Sequence, residues 1–159
     1  MATLPQLLEE DIHRLDAILA DLLARTDATT ALIIDKGGFL ITSHGDTRRF
    51  DITSIAALAS GAFMANQTIA GLVHENNFNS IYQQGESSSM IAMCVDEYCL
   101  LVVIFRAEVG VGLVKYYAAP AVQRIATQMT VARQRNPATG LDLSELNLAD
   151  TSDLFRRKS

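Results

Sequence analysis

The chain has 159 residues, 49% of them hydrophobic and 19% charged, with a formal net charge of −5. Such a chain can bury a core and is not disordered, and its length suits one domain. The acidic balance argues against nucleic acid or an anionic membrane surface as the main partner, because both are bound through an excess of cations.

The spacing predicts a first helix from Pro5 to about Arg25. Thr3 and Gln6 have capping-box spacing, and Pro5 falls in the first turn, where its missing N–H costs little. Leu4, Leu8, Ile12, Leu15, Leu19 and Leu22 recur every three or four residues as one apolar stripe. Two β-rich runs follow, ALIID and FLIT, around Gly37-Gly38, and Gly-Gly between such runs is a two-residue hairpin signal. Ser43 to Phe50 reads as a polar loop.

Asp51 is placed to cap a second helix, about Ile52 to Val73. Ile55, Leu58, Ala62, Asn66, Ile69 and Val73 are its expected inner face. The remainder is unusually small: Ala56, Ala57, Ala59, Ser60, Gly61, Ala65, Ala70 and Gly71. Between Asp51 and Glu75 only His74 is ionisable. A membrane span needs about 20 predominantly apolar residues, and Thr53, Ser54, Ser60, Asn66, Gln67 and Thr68 interrupt this one, so no membrane insertion is expected. An uncharged helix should not turn its outer side to bulk water. The chain has too little remaining sequence to bury it all round, so the helix is expected to meet a partner or its own copy.

Three strands follow: Phe78 to Gln83, Ser88 to Val95 and Cys99 to Phe105, the second and third joined by a hairpin at Asp96-Glu97-Tyr98. The run Leu100 to Phe105 is apolar on both faces, as in a strand covered on both sides. A third helix runs from about Leu113 to Arg135 with Val114, Tyr117, Ala121, Ile125, Met129 and Ala132 on one side. Pro120 inside it should kink it or mark its true start. The order α-β-β-α-β-β-β-α predicts an α/β (α+β) fold, a five-stranded, mainly antiparallel sheet with helices on both faces. Residues 1–135 form the expected domain and 136–159 a flexible C-terminal tail, where Leu154-Phe155 and the basic Arg156-Arg157-Lys158 could make a short docking helix.

Catalytic patterns are missing from the sequence. His13, His44 and His74 have no His, Cys or carboxylate at ligand spacing, so no metal site is expected. Cys94 and Cys99 would sit opposite each other across a two-residue turn, where a disulfide is geometrically possible; two reduced core thiols are the expectation for a cytoplasmic protein. The opening MATLPQLLEED lacks the basic flank and apolar core of a signal peptide. Gly110-Val-Gly112 has no third glycine and no following Lys-Ser/Thr, so it is no nucleotide fingerprint and no cofactor is expected. Arg48-Arg49 could act as an arginine finger, which stabilises charge on a transferring phosphoryl group, or be a solvated loop pair. Nothing assembles a nucleophile, a base and an orienting group, so the chain is expected not to be an enzyme.

Taken in order, ALIIDKGGFLITS, DITSIAALASGAFMANQTIAGLV, QGESSSMIAMCVDEYCLLVVIF and GLVKYYAAPAVQRIATQM resemble the Roadblock/dynein-light-chain family in its bacterial MglB-like form. The resemblance covers about residues 5 to 134; Tyr116-Tyr117 and the interior Pro120 depart from it, and the tail carries none of its pattern. It implies a homodimer in which the strand after the second helix pairs across the two-fold and the two second helices lie side by side. It further implies that the dimer binds a small Ras-like GTPase through those helices and accelerates GTP hydrolysis by repositioning the GTPase's own switch residues, without an arginine finger. Carried over to this chain, the partner face would comprise Ala57, Ser60, Gly61, Met64, Gln67, Thr68 and Gly71. The dimer interface would use Thr53, Asn77, Phe78, Ser80 and Tyr82. The alternative within the same resemblance is a dimeric scaffold or adaptor that leaves hydrolysis unchanged. A small-molecule sensor of similar shape would need convergent polar groups, which the sequence does not show.

Overall fold

A computed structural model describes residues 4–135. The expected tail therefore lies outside the described residues, as does Thr3. The elements follow the expected order: α1 (Glu9–Thr26), β1 (Thr30–Asp35), β2 (Leu40–Gly45), α2 (Ile52–Leu72), β3 (Ser80–Gln84), β4 (Ser88–Cys94), β5 (Cys99–Arg106) and α3 (Val111–Arg135). The five strands form one sheet in the order β2-β1-β5-β4-β3, with every pairing antiparallel.

Period-two alternation sends β5 side chains to two cores. Cys99, Leu101, Val103 and Phe105 join Ala31, Ile33 and Ile91 beneath α1 and α3, which pack side by side on one face. Leu100 and Val102 join Leu32 and Ile34 beneath α2 on the other. Of the expected inner residues of α3, Val114, Ala121, Ile125, Met129 and Ala132 are buried and Tyr117 is half-buried. Pro120 lies on the exposed side in the interior of α3, so it does not mark the helix start.

Several local expectations are corrected. α1 starts at Glu9 rather than Pro5, because the Asp11 carboxylate accepts the Leu8 N–H at 2.8 Å and closes the first turn there. The β1–β2 turn has three residues, Lys36, Gly37 and Gly38: the Asp35 N–H donates to Phe39 O at 2.8 Å, and Gly38 takes φ +96°. β2 runs on through Ser43 to Gly45, which pair with Leu32 to Thr30, so the first three of the eight residues of the expected loop are strand. The β4–β5 turn is the expected Asp96-Glu97-Tyr98, closed by the Val95 N–H donating to Cys99 O at 3.0 Å, and not the two-residue turn that would set the cysteines opposite each other. Cys94 therefore lies opposite Leu100. Cys94 packs with the α2-side core and Cys99 with the other, and both are free thiols. Burial pushes the Cys99 thiol far above its ordinary range.

One polar cluster joins the two helices of the α1–α3 layer. Asp11 is fully buried, and its carboxylate accepts from Arg135 at 2.9 and 3.1 Å, from Gln128 at 2.7 Å and from the Leu8 N–H. Burial alone would raise its pKa; the Arg135 hydrogen bonds, the Leu8 N–H, the Gln128 amide and the Arg135 charge together hold it below the ordinary 3.8. A depressed folded-state pKa means stability that is present above the unfolded value and lost as pH falls through the folded one. Asp11→Asn is expected to remove about 1.5–3 kcal/mol at neutral pH, the range for hydrogen bonds to a charged group. Urea melts between pH 6 and pH 2 check the sign: the difference between parent and variant should shrink as pH falls below the ordinary carboxylate value.

Candidate functional site: the outer face of α2 and the β3 edge

α2 begins where Asp51 caps it. The Asp51 carboxylate accepts from the Ser54 hydroxyl at 2.7 Å and from the Ser54 N–H at 3.1 Å, and these hydrogen bonds hold it below the usual carboxylate range. The helix ends in a Schellman arrangement: His74 takes φ 63°, its N–H donates to Gly71 O, and the Glu75 N–H reaches Ala70 O at 2.8 Å. Between these caps no residue of α2 is ionisable.

The inner face of α2 is Ala56, Ala59, Ser60, Phe63 and Ala70. This is the expected stripe displaced by one residue, about 100° around the helix. Leu58, Ile69 and Val73, expected inside, are exposed at 73%, 47% and 56%. The physical cause is close approach. A Cβ built on Gly38 would lie 3.2 Å from the Ala57 Cα, so the β1–β2 turn and the helix backbone nearly touch. Ser60 donates its hydroxyl to Lys36 O in that turn. Ala56, Ala59 and Ser60 lie directly beneath the first half of the helix, Ile52 and Ile55 are partly buried against the same core, and Leu58 is left outside.

The residues carried over from the family resemblance fall in three places. Ser60 is interior and engaged with the turn. Ala57, Gly61, Met64, Thr68 and Gly71 are exposed. Gln67 is half-buried; its amide donates to Phe78 O at 2.9 Å and ties the helix to the segment leading into β3, while its Oε1 is buried without a partner among the described residues.

The outer side of α2 carries a pattern that the sequence reading does not pick out. Leu58, Gly61, Ala65, Thr68 and Leu72 follow at intervals of three and four residues, the spacing of a seam between two helices. All five are exposed. The spacing is present in the sequence, but a reading that sends the large residues to the core hides it. Met64 lies on a different flank. There it lines a cavity of about 200 Å³ with Asp35, Lys36, Gly37, Glu97 and Tyr98, from the turns at that end of the sheet.

α2 lies over β1 and β2. On the same face, Ile81, Met90 and Cys94 of β3 and β4 are half-buried, forming a shelf beside the helix. β3 is an edge strand bonded to β4 alone. Of the expected interface residues, Thr53, Asn77 and Tyr82 are exposed and Phe78 and Ser80 half-buried; the Tyr82 ring stacks on Phe105 at 6.2 Å. α2 is long and apolar enough to cross a membrane, with mean hydropathy 1.3, yet Phe63, at 1% exposure, and three alanines seat it on the sheet as a packed helix of the domain. Among the described residues no His, Cys and carboxylate cluster could hold a metal. Arg48 and Arg49 are exposed in the loop before α2, the Arg49 guanidinium 5.6 Å from the Phe50 ring.

The order of elements, the open sheet and the apolar second helix define a small domain of the Roadblock kind. The chain belongs to the Roadblock/LC7 family, whose domain model matches residues 15–105. Within that family it is similar to MglB. It shares 29% identity with Myxococcus xanthus MglB, covering 80% of this chain and 96% of that one at a TM-score of 0.75. With the gliding protein MglB of Thermus thermophilus it shares 26% identity, covering 82% and 98%, also at 0.75. A structure described as MglB with tetrameric arrangement matches at 25% identity, covering 83% and 99%, with a TM-score of 0.77. No curated protein matches the chain in a sequence comparison.

Proposed function

We propose that this MglB-like chain acts as a homodimer that binds a small Ras-like GTPase and stimulates its GTP hydrolysis, with no catalytic residue of its own. One observation carries the reading: an uncharged 21-residue helix exposes a leucine-flanked seam on one face of a sheet whose β3 edge is unpaired in the single chain. An isolated monomer would leave that surface in water at a cost of roughly 25 cal/mol per Å² of apolar area. Pairing β3 with its copy satisfies the open backbone edge, and the seam from Leu58 to Leu72 then meets its equivalent. The small Gly61, Ala65 and Thr68 let the helices approach closely. Asn77, Phe78, Ser80 and Tyr82 border the strand junction, with Thr53 at the start of the helix.

In this arrangement the Met64 flank stays open. With Ala57, Gln67 and Gly71 near it on the helix, and Lys36 and Glu97 on the adjoining turns, it offers an adaptable apolar centre with a polar rim. That combination suits a protein partner better than a small ligand. Absence of an arginine finger is part of the proposal, and the hydrolytic residues are those of the GTPase. The cytoplasm, where such GTPases work, is the proposed location.

Single-turnover GTP hydrolysis by the host's Ras-like GTPase, with and without excess of this protein, tests the reading. A rise of roughly 10-fold or more corresponds to about 1.4 kcal/mol off the barrier. An unchanged rate with co-elution of the GTPase would make the protein an adaptor. An unchanged rate without co-elution would reject the GTPase as partner. Met64→Arg is expected to abolish both binding and stimulation while leaving the dimer and its melting curve intact, because Met64 is half exposed and off the seam. Normal binding by this variant would move the partner face elsewhere.

A further inference from the structure

The α1–α3 layer carries a groove on the face of the sheet opposite α2. One part is a depression of about 660 Å³ with Leu22, Tyr116 and Pro120 in its lining; the other, of about 410 Å³, lies over Ala17 and Ile18. Arg124 lines both, so the two run together. Late residues of α1 meet early residues of α3 in the first part, and the reverse holds in the second, so the helices are antiparallel and the groove follows both. From Tyr116 to Gln128 it extends about 18 Å, at 1.5 Å per helical residue.

Backbone chemistry selects a helical occupant. The groups of α1 and α3 are satisfied within each helix, except the Tyr116 carbonyl, for which Pro120 has no N–H to give. An extended segment laid here would lose water from its own N–H and C=O groups and find almost no partners. A helix brings its backbone hydrogen bonds with it, and about 12 helical residues match the length of the groove.

The lining selects the side chains. Ile18 and Leu22 are a buried apolar floor, and Ala17 leaves room above it. Tyr116, 73% exposed, stands edge-on to Tyr117 with ring centroids 5.1 Å apart and forms an aromatic wall. Exposed aromatic rings over an apolar floor suit the apolar stripe of an amphipathic helix. The rim is basic. Arg14 pairs with Glu10, whereas Arg25 and Arg124 share the single carboxylate of Asp21 at 3.1 and 3.4 Å. These three arginines face two acids, a local surplus of positive charge on a chain whose net charge is −5. Exposed ion pairs are weak, so Arg25 and Arg124 can turn to an incoming carboxylate at little loss.

We propose that this groove receives an acidic amphipathic helix of a partner protein, its apolar stripe over Ile18 and Leu22 beside Tyr116, its carboxylates at Arg25 and Arg124 at one end and Arg14 at the other. The surface lies across the sheet from α2, so this docking stands or falls independently of the dimer and GTPase reading.

The chain contains no tryptophan, so a synthetic peptide carrying one reports its own binding to the full-length protein. The test peptide is a helix of about 14 residues, with leucines every three or four positions and glutamates on the other side. It should bind at least roughly 10-fold more tightly than the same peptide with lysine in place of glutamate. The protein as a whole is acidic, so non-specific attraction would give the opposite order. Arg25→Glu with Arg124→Glu should invert the preference; both arginines are exposed, so the melting curve should not move. Should that variant fail to fold, Tyr116→Ser, which removes an exposed ring, should weaken the glutamate peptide by itself. Amide NMR signals of Ala17, Tyr116 and Arg124 should shift on peptide addition while those of α2 stay fixed. The proposal is overturned if the glutamate peptide does not bind or has no advantage over the lysine one, if the shifts fall on α2, or if a proline-rich peptide binds more tightly. It is equally overturned if the groove signals move when the protein alone is concentrated, which would give the groove to a second copy of the chain.

Discussion

The double variant Leu58→Glu, Leu72→Glu is expected to sediment as a monomer at concentrations where the parent chain is a dimer. Both leucines are about three-quarters exposed in the single chain, 73% and 75%, so neither holds the monomer together. Far-ultraviolet circular dichroism should therefore be unchanged. In a two-fold pair of α2 helices the substitutions would bring four carboxylates into a seam that now has no charge. Like charges at an interface cost several kcal/mol; a roughly 100-fold loss of dimer affinity, about 2.8 kcal/mol, is the least that should be seen. Sedimentation equilibrium over a range of concentrations measures it. A parent chain that stays monomeric throughout would remove the dimer proposal, and a variant that dimerises normally would place the interface away from α2. Stimulation of a GTPase should fall together with the dimer if both copies are needed to hold it.

The largest loss of monomer stability is expected from Phe63→Ala. The ring is 1% exposed among Leu32, Ile34, Leu100 and Val102, and deleting it leaves a cavity in the smaller of the two cores. Such truncations cost about 3–5 kcal/mol, a large part of the roughly 5–15 kcal/mol that holds a domain folded. Leu58→Ala, five residues earlier on the same helix, should change stability by no more than about 0.5 kcal/mol when measured below the dimer's dissociation constant. The contrast is a direct test of which side of α2 faces the sheet. Comparable losses from both variants would mean that the helix is rotated toward the stripe of larger residues. Urea unfolding with an unchanged slope is the appropriate measurement.

These two variants also mark the boundary between what is legible in the sequence and what is not. Strong local signals are legible. The alternation in β5 and its continuous apolar run place it between two covering layers, and three- and four-residue spacing finds the buried face of α3. In β5 the large apolar residues are the buried ones, and in α3 Val114, Ile125 and Met129 on the predicted stripe are buried, although Leu113 and Tyr116 beside it are exposed. In α2 size and position disagree. Its hydrophobic residues extend around most of the helix, so periodicity alone leaves its orientation open and favours Leu58 and Ile69 for the core. The deciding contact is between Gly38 and Ala57, nineteen residues apart, and a turn that comes so near the helix admits only alanine and serine. Ser60, carried over as a partner residue, is occupied by the same turn.

Turn lengths escape the sequence for a related reason. Gly37-Gly38 has the composition of a two-residue hairpin, but strand register makes its loop longer, and at Asp96-Glu97-Tyr98 the three-residue loop excludes the two-residue turn that would pair the cysteines. That difference sends Cys94 and Cys99 to opposite faces of the sheet.

Composition and local period were enough for the order of eight elements and for a second helix too apolar to stand alone, because each of these is written within single segments, and the resemblance of four segments taken in order pointed to the family. The packed molecule was needed to learn which side of that helix is free, whether the two cysteines could meet, and that Asp11 and Arg135, 124 positions apart, clasp the α1–α3 layer. Each of these depends on how closely two backbones approach, a distance set by the sheet and its turns together and encoded in no single segment.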